Sequence, residues 1–316
     1  MVIPRYLPSR RARAGALSGL SATLLIAATA ANASAAGSSY VALGDSYSSG
    51  VGTRVYISDG TNCLRSVYAY PSLIAAAKGY SLNLRACSGA TVADVTNSQL
   101  SALSSSTSYV TMSVGGNDAG FASVLTECAK PAWMSNCNGA IDGAVNYINT
   151  TLPGSLSTLY ASIRSRAPYS KVTIVGYPRI FNGEDCNAFT WFSPTEEARL
   201  NQTADLLNSR LASAAAAKGY AFANPTGAFL GRAVCDSPEW INGLSNPIVN
   251  SYHPRSTATA TATPRSSARR SPARSCGSPT RSPRERPPPP SDSPPNSGGM
   301  PQPMPASSPS WSSHPT

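Results

Sequence analysis

The chain has 316 residues, 41% of them hydrophobic, and a formal net charge of +10. Such a length allows one or two domains. The charge is segregated: four arginines lie in residues 1–36, eight arginines against two acids lie in 255–316, and 13 basic and 13 acidic residues remain between 37 and 254. A nucleic-acid-binding domain carries its positive charge on the fold, so the balanced middle argues against that class.

Residues 1–36 read as a secretory signal peptide. Arg5, Arg10, Arg11 and Arg13 form a basic start, Ala14–Ala31 an apolar run, and Ala33-Ser34-Ala35-Ala36 a small-residue cleavage site. A transmembrane anchor fits less well, because Ser and Thr interrupt the run. The pair Arg10-Arg11 points weakly to twin-arginine export. An extracellular location is expected, with no stable membrane insertion.

Short apolar runs then recur at wide spacing. Tyr40–Leu43, Leu82–Ala86, Tyr109–Val114, Lys171–Val175 and Tyr220–Ala223 are predicted strands. Helical patterns lie between them. Tyr70–Lys78 is short. Ala140–Arg166 carries Ile141, Val145, Ile148, Leu152, Leu156, Leu159 and Ile163 at a spacing near 3.6, with Pro153 as a kink or break. Ser193 is a good N-cap for a third helix. Pro194 suits its first turn, and Glu196 and Glu197 suit its positive end. That helix runs to Lys218, where Gly219 ends it. Alternating strands and helices predict a parallel sheet covered on both faces, with ligands at the carboxyl ends of the strands. Ser46, Gly89 and Asn117 each follow a predicted strand there.

Six of the seven cysteines fall in the middle region: Cys63, Cys87, Cys128, Cys137, Cys186 and Cys235. An even number in an exported chain suggests three disulfides. The simplest of the possible pairings joins neighbours: Cys63–Cys87, Cys128–Cys137 and Cys186–Cys235. Cys276 is left over. The absence of C-x-x-C and the presence of only two histidines argue against a zinc site.

The stretch Gly44-Asp45-Ser46 could be a turn, or it could display a nucleophile. A serine hydrolase needs a base and oxyanion donors beside its hydroxyl. Of the two histidines, His314 lies in a Pro-rich tail, so a histidine base would be His253. The usual G-x-S-x-G elbow is missing. In its place stand Gly44-Asp45-Ser46, Ser88-Gly89-Ala90-Thr91, Gly115-Gly116-Asn117-Asp118 and His253-Pro254. This ordered set over about residues 38–254 resembles the GDSL or SGNH hydrolases. The similarity is greatest to the secreted actinobacterial lipases and esterases, whose cysteine layout and Arg179–Gln202 stretch look alike too. The resemblance implies a three-layer α/β/α sandwich around a parallel sheet of about five strands. It also implies Ser46 as nucleophile, His253 as general base, and an oxyanion hole made by the N–H groups of Ser46 and Gly89 with the Asn117 amide. Asp45 and Asp118 read as capping or loop residues, and Ser48 and Ser49 as local turn hydroxyls. Tyr47, Phe121 and Trp191 are candidates for an acyl pocket, or else for core packing.

One position departs from the family pattern. Many members carry an acid three residues before the histidine, and here that residue is Asn250. Asp236 and Glu239 are the next acids upstream. The expectation is therefore a Ser46–His253 dyad oriented by the main-chain carbonyl of Asn250 or Ser251.

From Arg255 to Thr316 there is no Val, Leu, Ile, Phe or Tyr, and 15 of the 27 prolines lie there. Such a composition predicts disorder. Codons allowed for Arg255 onward, shifted by one nucleotide, spell Val-Asp-Gly-His-Gly-Asp-Gly-Tyr-Thr-Pro-Leu-Val-Arg-Ser-Ser-Leu, which looks like a family terminus. A frameshift near Pro254–Arg255 is one expectation, leaving the hydrolase domain 37–254 without its last helix. A Pro-rich linker across a cell wall is the other.

The functional expectation is a secreted carboxylic-ester hydrolase, a lipase or esterase working through an acyl-enzyme. Alternatives are a phospholipase A, a polysaccharide deacetylase and a non-catalytic cell-wall-binding module. The partner would be an ester or lipid substrate and not nucleic acid. A monomer is expected, and hydroxyl, imidazole and amide groups imply no cofactor.

Overall fold

The computed structural model describes residues 37–262. The expected signal peptide and the residues beyond 262, with Cys276 and His314, lie outside the described residues. Five strands form one parallel sheet: β1 (Ser39–Gly44), β2 (Ser81–Leu84), β3 (Tyr109–Ser113), β4 (Lys171–Val175) and β5 (Ala221–Ala223), in the order β2-β1-β3-β4-β5. The helices are α1 (Ser46–Ser49), α2 (Tyr70–Lys78), α3 (Val92–Asp94), α4 (Phe121–Cys128), α5 (Cys137–Thr150), α6 (Leu152–Arg166), α7 (Pro194–Ala216) and α8 (Ser256–Ala262). The architecture is an α/β/α sandwich.

Alternation along the strands decides which side chains go where. Val41, Leu43, Val110, Met112, Val172 and Ile174 point to one face, into a core shared with Leu152, Leu156, Leu159 and Ile163 of α6 and Leu207 and Leu211 of α7. Tyr40 and Ala42 point to the other face, where Ala75 of α2 meets them. That second layer is thin. Beyond α2 and α8 a shallow trough stays open, its floor including Tyr109, Thr111, Thr173, Val175 and Ala223. Both faces are covered as expected, the α6–α7 side more fully than the α2 side.

The long pattern Ala140–Arg166 breaks as expected: it is two helices that part at Thr151, and Pro153 sits in the first turn of α6, where its missing N–H costs nothing. One local expectation changes. The tail does not begin at 255. Arg255 pairs with Glu239, and α8 follows, with Ala258 fully buried. A Ser-Thr-Ala helix carries no large apolar stripe, so composition alone reads it as disorder. Helix α7 starts as its caps require: the Ser193 hydroxyl accepts from the N–H of Glu196, whose carboxylate accepts from the N–H of Ser193. No helix among the described residues is long and apolar enough to cross a membrane.

Candidate active site

The carboxyl ends of β1, β2 and β3 carry the three predicted donors. At the end of β1 the chain turns into α1, with Asp45 as N-cap accepting from the N–H of Tyr47 at 3.0 Å. Gly44 has φ +119°, and a Cβ there would lie 2.2 Å from the Ser113 carbonyl oxygen. Only glycine lets β1 and β3 close in this way. The Gln99 side chain grips Gly44 on both sides: its Oε1 accepts from the N–H at 2.8 Å, and its Nε2 donates to the carbonyl at 2.9 Å. Ser48 is not a local turn hydroxyl. Its oxygen accepts from the N–H of Ser113 on β3 at 2.9 Å.

Asp45 is buried. Burial pushes its carboxyl up to about 7, against hydrogen bonds from Tyr177 and Tyr47 that favour the anion. The Tyr177 hydroxyl donates to it at 2.5 Å, and Asn208 clamps the Tyr177 backbone at both N–H and carbonyl, each at 2.8 Å. A chain of contacts thus runs from α7 to the turn that holds Ser46. Sequence reasoning missed Gln99, Tyr177 and Asn208. Their partners are remote in sequence, and no local motif marks them.

His253 stands opposite Ser46. Its Nε2 is 2.8 Å from the Ser46 Oγ, and its Nδ1 is 2.8 Å from the Ser251 carbonyl oxygen. A carbonyl only accepts, so Nδ1 carries the proton and Nε2 turns its lone pair to the serine. Of the two carbonyls expected to orient the ring, Ser251 is the one in reach. The Asn250 side chain is engaged elsewhere, its Oδ1 accepting from the Tyr56 hydroxyl. Asp236 and Glu239 also serve other partners. Asp236 accepts from Asn182 and Ala233, and Glu239 pairs with Arg255.

The histidine loop is tightly held. The Asn242 Nδ2 donates to the carbonyls of His253 and Gly52 at 2.9 and 3.0 Å, and Ile241 bridges to Pro254. The Tyr47 hydroxyl donates to the Tyr252 carbonyl at 2.7 Å, setting its ring 5.0 Å from the imidazole. Burial brings the imidazole down to about 4, against the hydrogen bond to Ser251.

The donor positions converge on the same mouth. Gly89 has φ +79°, and a Cβ there would meet nothing, so its backbone faces open space. The Cys63–Cys87 disulfide pins this loop, together with the Ser88 N–H donating to the Cys63 carbonyl at 3.0 Å. The Asn117 Nδ2 donates to the Ala90 carbonyl at 3.0 Å, which orients the amide and leaves its second N–H. Asp118 accepts from the N–H of Val92, tying the two donor loops together. The other cysteines join as Cys128–Cys137 and Cys186–Cys235. A narrow apolar cleft opens next to Tyr47, Gly116 and Phe121 and runs to Ile148 and Leu207. Trp191 is absent from its walls. It stands half exposed instead, and its backbone N–H donates to the Ala129 carbonyl.

The arrangement has the parts for acyl transfer. Residues 42–257 match the GDSL-like Lipase/Acylhydrolase family. The chain belongs to this family. It is 44% identical over 237 residues to Lipase 1 of Streptomyces coelicolor, covering 74% of this chain and 87% of that protein. It is 42% identical to a Streptomyces rimosus lipase, covering 68% and 80%. Among solved structures, the phospholipase A1 of Streptomyces albidoflavus superposes with a TM-score of 0.67 at 40% identity, covering 71% of this chain and 95% of that one. The extracellular lipase of Streptomyces rimosus gives 0.67 at 39%, covering 71% and 96%. This GDSL-family chain is thus an ester hydrolase of the carboxylic-ester class.

Proposed function

We propose that this enzyme is a secreted carboxylic-ester hydrolase for acyl-chain substrates that works through an acyl-enzyme on Ser46. The observation that carries the reading is the continuous line Ser46 Oγ, His253 Nε2, His253 Nδ1, Ser251 carbonyl, with 2.8 Å at each hydrogen bond. In the reaction, Oγ attacks the acyl carbon while Nε2 takes its proton. The N–H groups of Ser46 and Gly89 and the Asn117 amide receive the negative charge that grows on the carbonyl oxygen. Collapse expels the alcohol, protonated by Nε2–H. Water then attacks the acyl-enzyme, giving its proton to Nε2; the bond from Oγ to the acyl carbon breaks, Nε2–H returns the proton to Oγ, and the acid leaves. The apolar cleft beside Tyr47 and Phe121 suits an acyl chain. Three disulfides and the basic, apolar N-terminus support secretion.

The test is hydrolysis of p-nitrophenyl esters by the purified chain. Ser46→Ala and His253→Ala should each abolish turnover, and an organophosphate should label Ser46. Hydrolysis that survives Ser46→Ala would refute the assignment. The likeness to a phospholipase A1 favours a second reading, in which a phospholipid is the ester cleaved. Parallel assays on glycerides, phospholipids and acetylated sugars separate it from the lipase and deacetylase readings.

A further inference from the structure

Three segments around the histidine expose apolar side chains to water. Ile248 is 72% exposed, Val67 51% and Val55 48%, and Ile57, Tyr68 and Val249 are exposed beside them in sequence. Hydrogen bonds tie the segments into one surface. The Ile57 N–H donates to the Arg65 carbonyl at 2.7 Å, and the Thr53 Oγ1 donates to the Ser66 Oγ at 2.8 Å. Arg54 donates to the Asn246 carbonyl at 3.1 Å, and Tyr56 donates to the Asn250 side chain.

This surface is rooted in the site. Residues 50–53 continue directly from α1, and a Cβ on Gly52 would lie 2.7 Å from the His253 Cβ. The turn Ile248–Asn250 runs straight into Ser251, whose carbonyl orients the imidazole. The one acid in these segments, Asp59, is neutralised by Arg65. Arg54 is exposed and belongs to no ion pair among the described residues.

We infer that Val55, Ile57, Val67, Tyr68, Ile248 and Val249 form the surface by which the enzyme seats on a lipid aggregate, with Arg54 facing the head groups. The inference rests on the proposed ester-hydrolase reading and names the physical form of its substrate. A long-chain ester is held in aggregates, not dissolved, so it must be drawn from an interface to reach Ser46. Apolar side chains entering that interface gain by burial. A second copy or a protein seated here would cover the rim beside His253 and obstruct the substrate. A lipid layer would supply it.

Binding is measured without turnover in Ser46→Ala protein, by co-sedimentation with phosphatidylcholine vesicles. Adding Val55→Ser and Ile248→Ser should weaken partitioning roughly thirtyfold, and Ile57→Ser with Val67→Ser should act similarly. Trp133→Ser with Phe189→Ser removes two aromatic side chains that are more exposed still but lie on other loops, and should change nothing. With Ser46 intact, Val55→Ser/Ile248→Ser should hydrolyse dissolved p-nitrophenyl acetate at the unsubstituted rate, which also proves it folded. The inference falls if the parent does not bind vesicles, if the patch variants bind as well as the parent, or if the Trp133/Phe189 variant loses as much. A chain that binds vesicles through the patch but hydrolyses no dissolved ester refutes the serine-hydrolase reading instead.

Discussion

Asn250→Ala decides between a dyad and a triad. If the Asn250 side chain oriented His253, removing it would act like loss of a triad member, on the order of 10⁴ in turnover. The structure gives it another task. Its Oδ1 accepts from Tyr56, whose oxygen also accepts from the Gly52 N–H at 3.2 Å, and it is buried. Truncation leaves the Tyr56 hydroxyl without its acceptor, a loss of about 1–3 kcal/mol in stability. Turnover depends on Asn250 only through the position of the loop, so kcat should fall by less than about tenfold, a change of about 1.4 kcal/mol. Tyr56→Phe removes the same bond from the other side, so the double variant should be hardly less stable than either single one. The assays are thermal unfolding and kcat on a short-chain p-nitrophenyl ester. A thousandfold drop in kcat for Asn250→Ala, with the fold intact, would refute the backbone-oriented dyad.

Other consequences are as direct. The proposed base must be neutral to act, and burial brings His253 down to about 4, so the acid limb of kcat/KM should lie near 4, below the ordinary imidazole value of about 6.5. Between those values the unfolded chain binds the extra proton, so His253 makes the fold lose stability as pH falls from about 6.5 to 4. Asp45 acts in the opposite sense: its raised carboxyl stabilises the fold below about 4, and that contribution is lost as pH rises through about 7. The pH–rate profile, and not Tm, therefore isolates the histidine. Asn117→Ala should lower kcat about 10²–10³-fold with KM little changed, as measured by steady-state kinetics. Replacing Cys63 and Cys87 together by Ser opens a loop of sequence separation 24 and should cost about 3 kcal/mol, read by denaturant unfolding. It should also slow turnover, because the Gly89 loop loses its anchor.

The strands and the capped helices were legible because each depends on neighbours in sequence. Val41, Leu43, Val110 and Met112 alternate inward as period two requires. Ser193 and Glu196 form the box that opens α7. Ser46, Gly89, Asn117 and His253 could be picked out because four blocks recur in a fixed order, and the structure brings them to one rim. What holds them there was not legible. Asp45 and Tyr177 are 132 residues apart, and Gly44 and Gln99 are 55 apart. No local pattern announces a tyrosine or glutamine whose partner is set by the sheet order. The choice between the carbonyls of Asn250 and Ser251 depended on backbone geometry around Tyr252, whose φ is +60°. The helix after Pro254 was missed because Ser, Thr and Ala bury almost nothing. Ala258 alone among large-core criteria would never have marked it.

The site meets its charges with neutral groups. Among the described residues no carboxylate touches the imidazole, so the positive charge that the proposed attack places on His253 has three neighbours to lean on. They are the Ser251 carbonyl, the Tyr47 ring at 5.0 Å and the Phe121 ring at 5.9 Å. Both rings lie within the range at which an aromatic ring attracts a cation. These are weaker partners than an aspartate, which fits an imidazole whose pKa is drawn down to about 4. The strongest counter-charge is then the oxyanion itself, formed in the same step and held by neutral N–H donors. In the proposed reaction, base and oxyanion hole are thus coupled more tightly than in a triad. Weakening the donors removes stabilisation from the negative oxygen and also from the cation that it balances. Both effects fall on the transition state and neither on bound ester, so a damaged donor set should appear in kcat before KM.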